Sequence, residues 1–439
     1  MSSPASNPAG SPPPRGVEEY PLAELPLFYR ENLVVGREVD RLRASRDARA
    51  LAFVRSDGAR SRALHLAHLD GTALLDGETE LPSVQEVRIF EVNRRSAKVW
   101  IRSRRFRGVA HVDPGGVLLA ERLFHRFGVV ETEHGNWLRG RFRSDPPYRE
   151  RYASVHTSFA VDIRSDVVFS SPGAAVVVEP RSRRRWVQHV VRVGAEPELP
   201  PDDVVVGAPV LNLPFVADRV QVFALRPLLV YLVERKSKAS LTWASPSGDG
   251  EWTREDREAW PPERIWRGPR GALVLQGFDY GDPPLGLVRK LAFSAAVLAE
   301  GYFAPPTRVA FSPNGEKVVV LVDRYESAMG EGRSEVPSHP EILTANEEGG
   351  VSVLRFDATE RIEDLTIDDE GDVAFVHMKD GRYVIVSPGM VSRDYDSAWN
   401  LRPGAGQDAG WFVANAVRDG IAIFVRVASG AGVPAELGA

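Results

Sequence analysis

The sequence predicts an all-β chain folded as a single β-propeller of about seven four-stranded blades, with six or eight fitting the same pattern. Three observations predict it. Residues 308–323 read as a short apolar strand, a Ser312-Pro313-Asn314-Gly315 turn and a second strand of almost pure Val and Leu. Pro presets φ for a turn, and Asn-Gly supplies the positive φ that closes it. Degraded copies of this unit recur along the chain. The 38 Gly and 33 Pro match the many turns that many short strands require.

The elements follow in order. Residues 1–16 are rich in Pro and Ser and poor in apolar residues, so they read as a disordered tail ahead of a propeller over 17–430, with a second tail at 431–439. Residues 39–54 give a strand, a Ser45–Asp47 turn and an apolar strand. Ser56-Asp57-Gly58 then leads into 62–69, which ends at Asp70-Gly71. Weaker copies run through 84–90, 98–102 and 108–113. Others run through 155–161, 166–169 and 174–179, through 219–223, 228–233 and 239–243, and through 264–266 and 272–278. Residues 128–144, with Asn136-Trp137, fit an eighth irregular unit. Residues 285–302 carry both a helical spacing (Leu287, Leu291, Ala295, Leu298) and a split into two strands, which the neighbouring repeats favour. Residues 362–376 repeat the best unit, with Asp368 to Asp372 in the place of the Ser-Pro-Asn-Gly turn. Lys379-Asp380-Gly381 turns into the next strand. Residues 411–427 give a last pair, and either these or residues near 27–36 would close the ring. Units therefore start near 39, 84, 155, 218, 262, 306 and 362. Three of the gaps, those opening at 84, 155 and 306, are longer than the 40–50 residues or so of a typical blade. The long stretches 323–339 and 392–408 read as loops able to carry binding surfaces.

At Val309-Ala310-Phe311-Ser312-Pro313-Asn314-Gly315 the sequence resembles the WD40-like propeller superfamily, in its bacterial Phe-Ser-Pro-Asp-Gly variety, with Asn314 in place of Asp. The motif is structural and carries no functional residue over. The resemblance implies a protein that binds other proteins or peptides. Some bacteria pair such propellers with an AAA+ ATPase and a von Willebrand-type partner, so a multi-component assembly is within its range. Other propellers are lactonases or lyases that use the central channel, which keeps an enzyme as an alternative.

The chain of 439 residues carries a net charge of −5, unevenly spread. Residues 1–250 hold 36 basic and 30 acidic side chains, and 251–439 hold 19 and 30. There is no Cys, which excludes disulfides, thiolate metal sites and cysteine nucleophiles. No apolar run approaches the ~20 residues of a membrane-spanning helix, and the N-terminus lacks a secretory pattern, so the expected location is cytoplasmic.

No catalytic, cofactor or metal residue is nominated. His65 and His68 lie three apart on a strand and point to opposite faces. The acidic run 368–372 lacks the distal ligand of a calcium loop and reads as a turn. Ser247 to Trp252 only loosely matches an Asp-box. No phosphate-binding Gly-rich loop and no Gly-x-Ser-x-Gly elbow is present.

The basic runs are the candidate partner-binding residues. They are Arg102, Arg104, Arg105 and Arg107, then Arg141 and Arg143, then Arg183, Arg184 and Arg185. Each run has an aromatic beside it (Phe106, Phe142, Trp186), a pattern also found in single-strand nucleic-acid sites. The leading expectation is a non-enzymatic scaffold that docks a protein partner. A nucleic-acid partner ranks behind it.

Overall fold

The computed structural model describes residues 16–430, apart from short connections and the segments 30–41, 193–209, 280–287 and 326–337. Side chains between 192 and 265, and some others, lie outside the description. The described chain is a β-propeller. It forms nine four-stranded antiparallel sheets. Blades 1 to 8 span 42–81, 84–121, 124–162, 166–212, 219–257, 262–301, 308–355 and 361–391. Blade 9 takes three strands from 397–428 and its fourth from Val17–Glu24.

In each blade the first strand is innermost. First strands of consecutive blades neighbour one another, as Arg308–Phe311, Arg361–Ile367 and Ser397–Pro403 do. Fourth strands form the rim: Val351–Arg355 is exposed along its whole length.

Blade 7 shows why the second strand is a continuous apolar run. Successive side chains of a strand point to opposite faces. Val318, Val320 and Val322 therefore pack on Val274 and Phe293 of blade 6. Val319 and Leu321 pack on Ile362 and Leu365 of blade 8. All five are buried, each removing roughly 1.5–3 kcal/mol worth of apolar surface from water.

The turn after the first strand repeats its chemistry. Ser312 Oγ accepts from Lys317 N at 3.0 Å, Ser45 Oγ from Ala50 N at 2.9 Å, and Asp368 Oδ1 from Asp372 N at 2.8 Å. The acidic run 368–372 is thus a blade turn, as its position in the repeat predicts. Gly315 and Gly371 have φ of 78° and 100°, the left-handed region that the turn requires.

Closure joins the chain ends. Val17–Glu24 pairs antiparallel with the last strand, from Val17 opposite Val427 to Glu24 opposite Ile421. Leu22 and Leu25 are buried in one cluster with Phe53 of blade 1 and Phe424 of blade 9. Residues 27–29 form a helical turn whose Tyr29 hydroxyl donates to Val54 O at 2.6 Å. The remainder of the 27–36 stretch lies outside the described residues.

Nine sheets stand where the sequence repeat counts about seven, and the difference has two sources. Residues 155–161 hold the last strand of blade 3, Ser158–Asp162, and do not open a blade. Blade 3 begins at Phe124, which makes the irregular stretch 128–144 part of a full blade. Its second strand, Trp137–Phe142, carries Arg139, Gly140 and Arg141 where the clearer units have an unbroken apolar run, so the repeat does not register there. The ninth sheet is the closing one, whose fourth strand comes from the other end of the chain.

Residues 285–302 form two strands, Val288–Phe293 and Ala296–Gly301. The stretch 392–408 is corrected from a loop: it contains Ser397–Pro403, the innermost strand of blade 9. Much of 323–339, and the tails 1–15 and 431–439, lie outside the described residues. No helix among the described residues is long and apolar enough to cross a membrane.

Candidate interaction face

Because strands alternate in direction, every blade sends its first-to-second and third-to-fourth connections to one face of the ring, here the upper face. Second-to-third connections, and the links to the next blade, lie on the opposite, lower face. This topology places the three arginine runs together. Arg102 lies in Ser96–Ser103, Arg104 and Arg105 follow, and Arg107 opens Arg107–Asp113. Arg141 lies in Trp137–Phe142, with Arg143 just after it. Arg183 and Arg184 precede Arg185, which opens Arg185–Arg192. These are the second-to-third connections of blades 2, 3 and 4, side by side on the lower face. Arg105, Arg143, Arg183 and Arg184 lie outside the described residues, as does the Arg185 side chain.

Blade 5 adds a fourth member that the sequence reading passed over. Arg235 and Lys238 face each other across its second-to-third connection, with Lys236 between them in sequence. Only the topology distinguishes this run from scattered charge.

The turn of blade 2 is tight. Ser103 Oγ accepts from Phe106 N at 3.0 Å, and Ser103 N donates to Phe106 O at 2.7 Å. Arg104 and Arg107 stand exposed, with no ion-pair partner among the described residues. Arg102 is paired, its Nη2 lying 3.1 Å from Glu86 Oε2. In blade 3, Arg126 sits directly opposite Arg141 across the strand pair. Both are exposed and neither has a carboxylate among the described residues. Like charges facing each other in a ladder are destabilising, so this pair holds unsatisfied positive charge.

The aromatics beside these arginines turn inward. Phe106 packs on the core between blades 1 and 2. Phe142 packs on the core between blades 2 and 3, with its ring centroid 4.8 Å from that of Phe124. Trp186 is fully buried. Trp186 offers no ring to solvent, and Phe106 and Phe142 are half-buried against these cores.

Carboxylates are interspersed on this face. Asp145 receives Arg151 at 2.8 Å, Asp162 receives Arg164 at 3.0 Å, and Glu179 lies 3.6 Å from Arg181. Among the described residues, the lower side of blades 2 and 3 is a mosaic with an excess of unpaired guanidinium.

His65 and His68 are both buried, and burial is the main cause that lowers both pKa values. The His65 ring lies 4.7 Å from that of Phe53, tilted by 35°. Among the described residues no group of three or more His, Asp or Glu could hold a metal ion. Of the Asp-box-like stretch, 247–251 lies outside the described residues.

No protein-family model and no curated protein matches this chain. Solved structures do resemble it. One described as a crystal structure of the eukaryotic initiation factor is 13% identical over 82% of this chain and 90% of its own, with a TM-score of 0.46. The Dos1 propeller is 8% identical over 93% and 95%, with a TM-score of 0.34. A prolyl endopeptidase is 10% identical over 80% of this chain and 56% of its own, with a TM-score of 0.37. At these values the likenesses carry no functional argument, and the propeller assignment rests on the sheet topology.

Proposed function

We propose that this protein is an interaction scaffold whose lower face, across blades 2 to 5, docks an acidic protein surface. One observation carries the reading. Four consecutive blades carry basic residues in sequence at the same connection, and in blades 2 and 3 Arg104, Arg107 and Arg141 are exposed, while Phe106, Phe142 and Trp186 pack partly or fully into the core. A positive sector spread over several rigid blades suits a broad complementary surface and steers its approach. The interspersed carboxylates favour a partner with its own mixture of charges over an unbroken polyphosphate. Single-strand nucleic-acid sites rely on fully exposed aromatic rings for stacking, and these three are half-buried or buried.

Fluorescence anisotropy with a labelled oligoglutamate peptide and a labelled single-stranded oligonucleotide tests this. The peptide should bind at low salt. The triple variant Arg104→Ala, Arg107→Ala, Arg141→Ala should weaken it about tenfold, the sum of three exposed charge contacts. An oligonucleotide that binds more tightly than the peptide, or a triple variant that binds the peptide as the wild type does, would overturn the proposal.

A further inference from the structure

On the upper face, where blades 9, 1 and 2 meet, lies a cleft of about 790 Å³. Its lining includes Arg46, Arg94, Arg95 and Arg402, with Asp47 and Asp408. Four guanidinium groups thus share one cleft with two carboxylates, and both carboxylates are already engaged. Asp408 takes a two-pronged bond from Arg49, with Nε to Oδ2 at 2.7 Å and Nη2 to Oδ1 at 2.6 Å. It also accepts from Arg426 at 3.0 Å. Asp47 accepts from Ser45 Oγ at 2.5 Å, from Arg49 N at 3.2 Å and from Arg94 Nε at 3.3 Å.

Two of the arginines are left over. Arg46 is exposed at the cleft mouth, with no hydrogen-bond or ion-pair partner among the described residues. Arg402 comes from the innermost strand of blade 9. Among the described residues its one hydrogen bond goes to the neutral Asn400 Oδ1, and its Nε is buried with no acceptor. Burial and the neighbouring Arg46 charge push the Arg402 pKa down to about 10 against the opposing charges of Asp364, Asp47 and Glu131, so it remains cationic at neutral pH but in an unfavourable setting. A buried donor without an acceptor costs roughly 1–3 kcal/mol, and more when it is charged. An arriving oxyanion would relieve that cost.

The walls are mixed. Val92 and Val413 line the cleft along with Pro403 and Ala405, which gives an organic body something to rest on. The volume falls within the ~300–1,000 Å³ of small-molecule sites and is far larger than a bare phosphate needs. Planar guanidinium forks match phosphate and carboxylate oxygens in pairs.

We propose that this cleft binds a small organic polyanion, with Arg402 and Arg46 as its oxyanion clamp. The ligand bridges three blades at the seam where the ring closes, on the face opposite the protein-docking sector. The two sites are therefore separable by mutation.

Calorimetry at low salt with pyrophosphate and with citrate tests the site, and the tighter probe identifies a phosphate or a carboxylate source. At least one should bind saturably, one per chain, and raise the melting temperature through linkage. Arg402→Gln should weaken binding about tenfold or more, as expected for loss of a charged hydrogen bond. Arg46→Gln, an exposed change that leaves the fold alone, should weaken it in the same direction. The lower-face triple variant should bind as the wild type does. No saturable binding of either probe, or full binding by Arg46→Gln, or a loss in the lower-face variant instead, would overturn the proposal.

Discussion

On the upper face, Arg49 of blade 1 and Arg94 of blade 2 reach carboxylates of a neighbouring blade, Asp408 and Asp47. On the lower face, Arg104, Arg107, Arg126 and Arg141 reach none among the described residues. The residue type is the same and the work differs. Where blades must be held in register around the ring, arginine is spent on internal carboxylates. On the lower face of blades 2 and 3 arginine is left available, although elsewhere on that face Arg382 of blade 8 still pairs with Asp396 at the start of blade 9. Within the upper face Arg402 and Arg46 break the pattern, and that departure is what marks the cleft.

The largest expected effect tests the holding role. The side chains of Arg49 and Asp408 are 3% and 4% exposed, and the Arg49 guanidinium also lies 5.0 Å from the Phe424 ring centroid. Asp408→Ala strips that buried guanidinium of its two-pronged carboxylate, a change that costs about 3–5 kcal/mol. Denaturant unfolding should show this loss, while the exposed Arg104→Ala should stay within about 0.5 kcal/mol of wild type. If both variants unfold alike, the distinction between the faces fails. The sequence supports the same asymmetry through Gly404: a Cβ there would lie 2.1 Å from Asp408 O, so the turn that presents Asp408 accepts only Gly.

A second, intermediate effect comes from pH. Glu341 in blade 7 is fully buried, with Arg324 Nε at 2.7 Å, Arg355 Nε at 2.9 Å and His339 Nε2 at 3.2 Å. Burial works to raise its pKa, but the hydrogen bond and charge of Arg324, helped by His339 and Arg355, hold it below the usual carboxylate value. Glu19 behaves alike: hydrogen bonds from Arg418 and Tyr395 outweigh its burial. A carboxyl that is more acidic folded than unfolded stabilises fully above its unfolded pKa, and that contribution is lost as pH falls through the folded value. The melting temperature should therefore drop as pH falls below about 4.5. Glu341→Gln should be less stable at pH 7 and should flatten the acid slope. An unchanged slope in this variant would mean that Glu341 is not one of the groups that couple folding to protons.

What was legible in the sequence follows from how local each feature is. The Ser312 to Gly315 turn, the Asp368 turn and the apolar second strands are made by residues adjacent in the chain, so the repeat unit could be read. The arginine runs could be read as runs, but not as a shared face, because that depends on strand direction in three separate blades. The inward turn of Phe106, Phe142 and Trp186 could not be read either, since an aromatic next to arginine looks the same whether it stacks on a ligand or fills a core. The cleft was invisible, being assembled from positions 46, 94 and 402. The blade count fell short where a second strand lacked an unbroken apolar run, as Trp137–Phe142 does, and where the closing strand came from the other terminus.

The smallest expected effect sets two neighbouring aspartates of one turn against each other. Asp369 reaches across to blade 7, where its Oδ1 accepts from Asn314 N at 2.8 Å and its carbonyl accepts from Lys317 Nζ. Asp368 stays at home: its Oδ1 accepts from Gly371 N at 2.9 Å and Asp372 N at 2.8 Å, and the residue is buried. The contact between blades is solvent-exposed, so water replaces it readily, and Asp369→Ala should cost about 0.5 kcal/mol. Asp368→Ala strips two backbone donors of their acceptor inside the turn and should cost about 1–2 kcal/mol. Unfolding midpoints that rank the two the other way would mean that contacts between turns, not the turn's own hydrogen bonds, set the stability of the upper face. The weight given to Asp408 would then have to be shared among all the clasps around the ring.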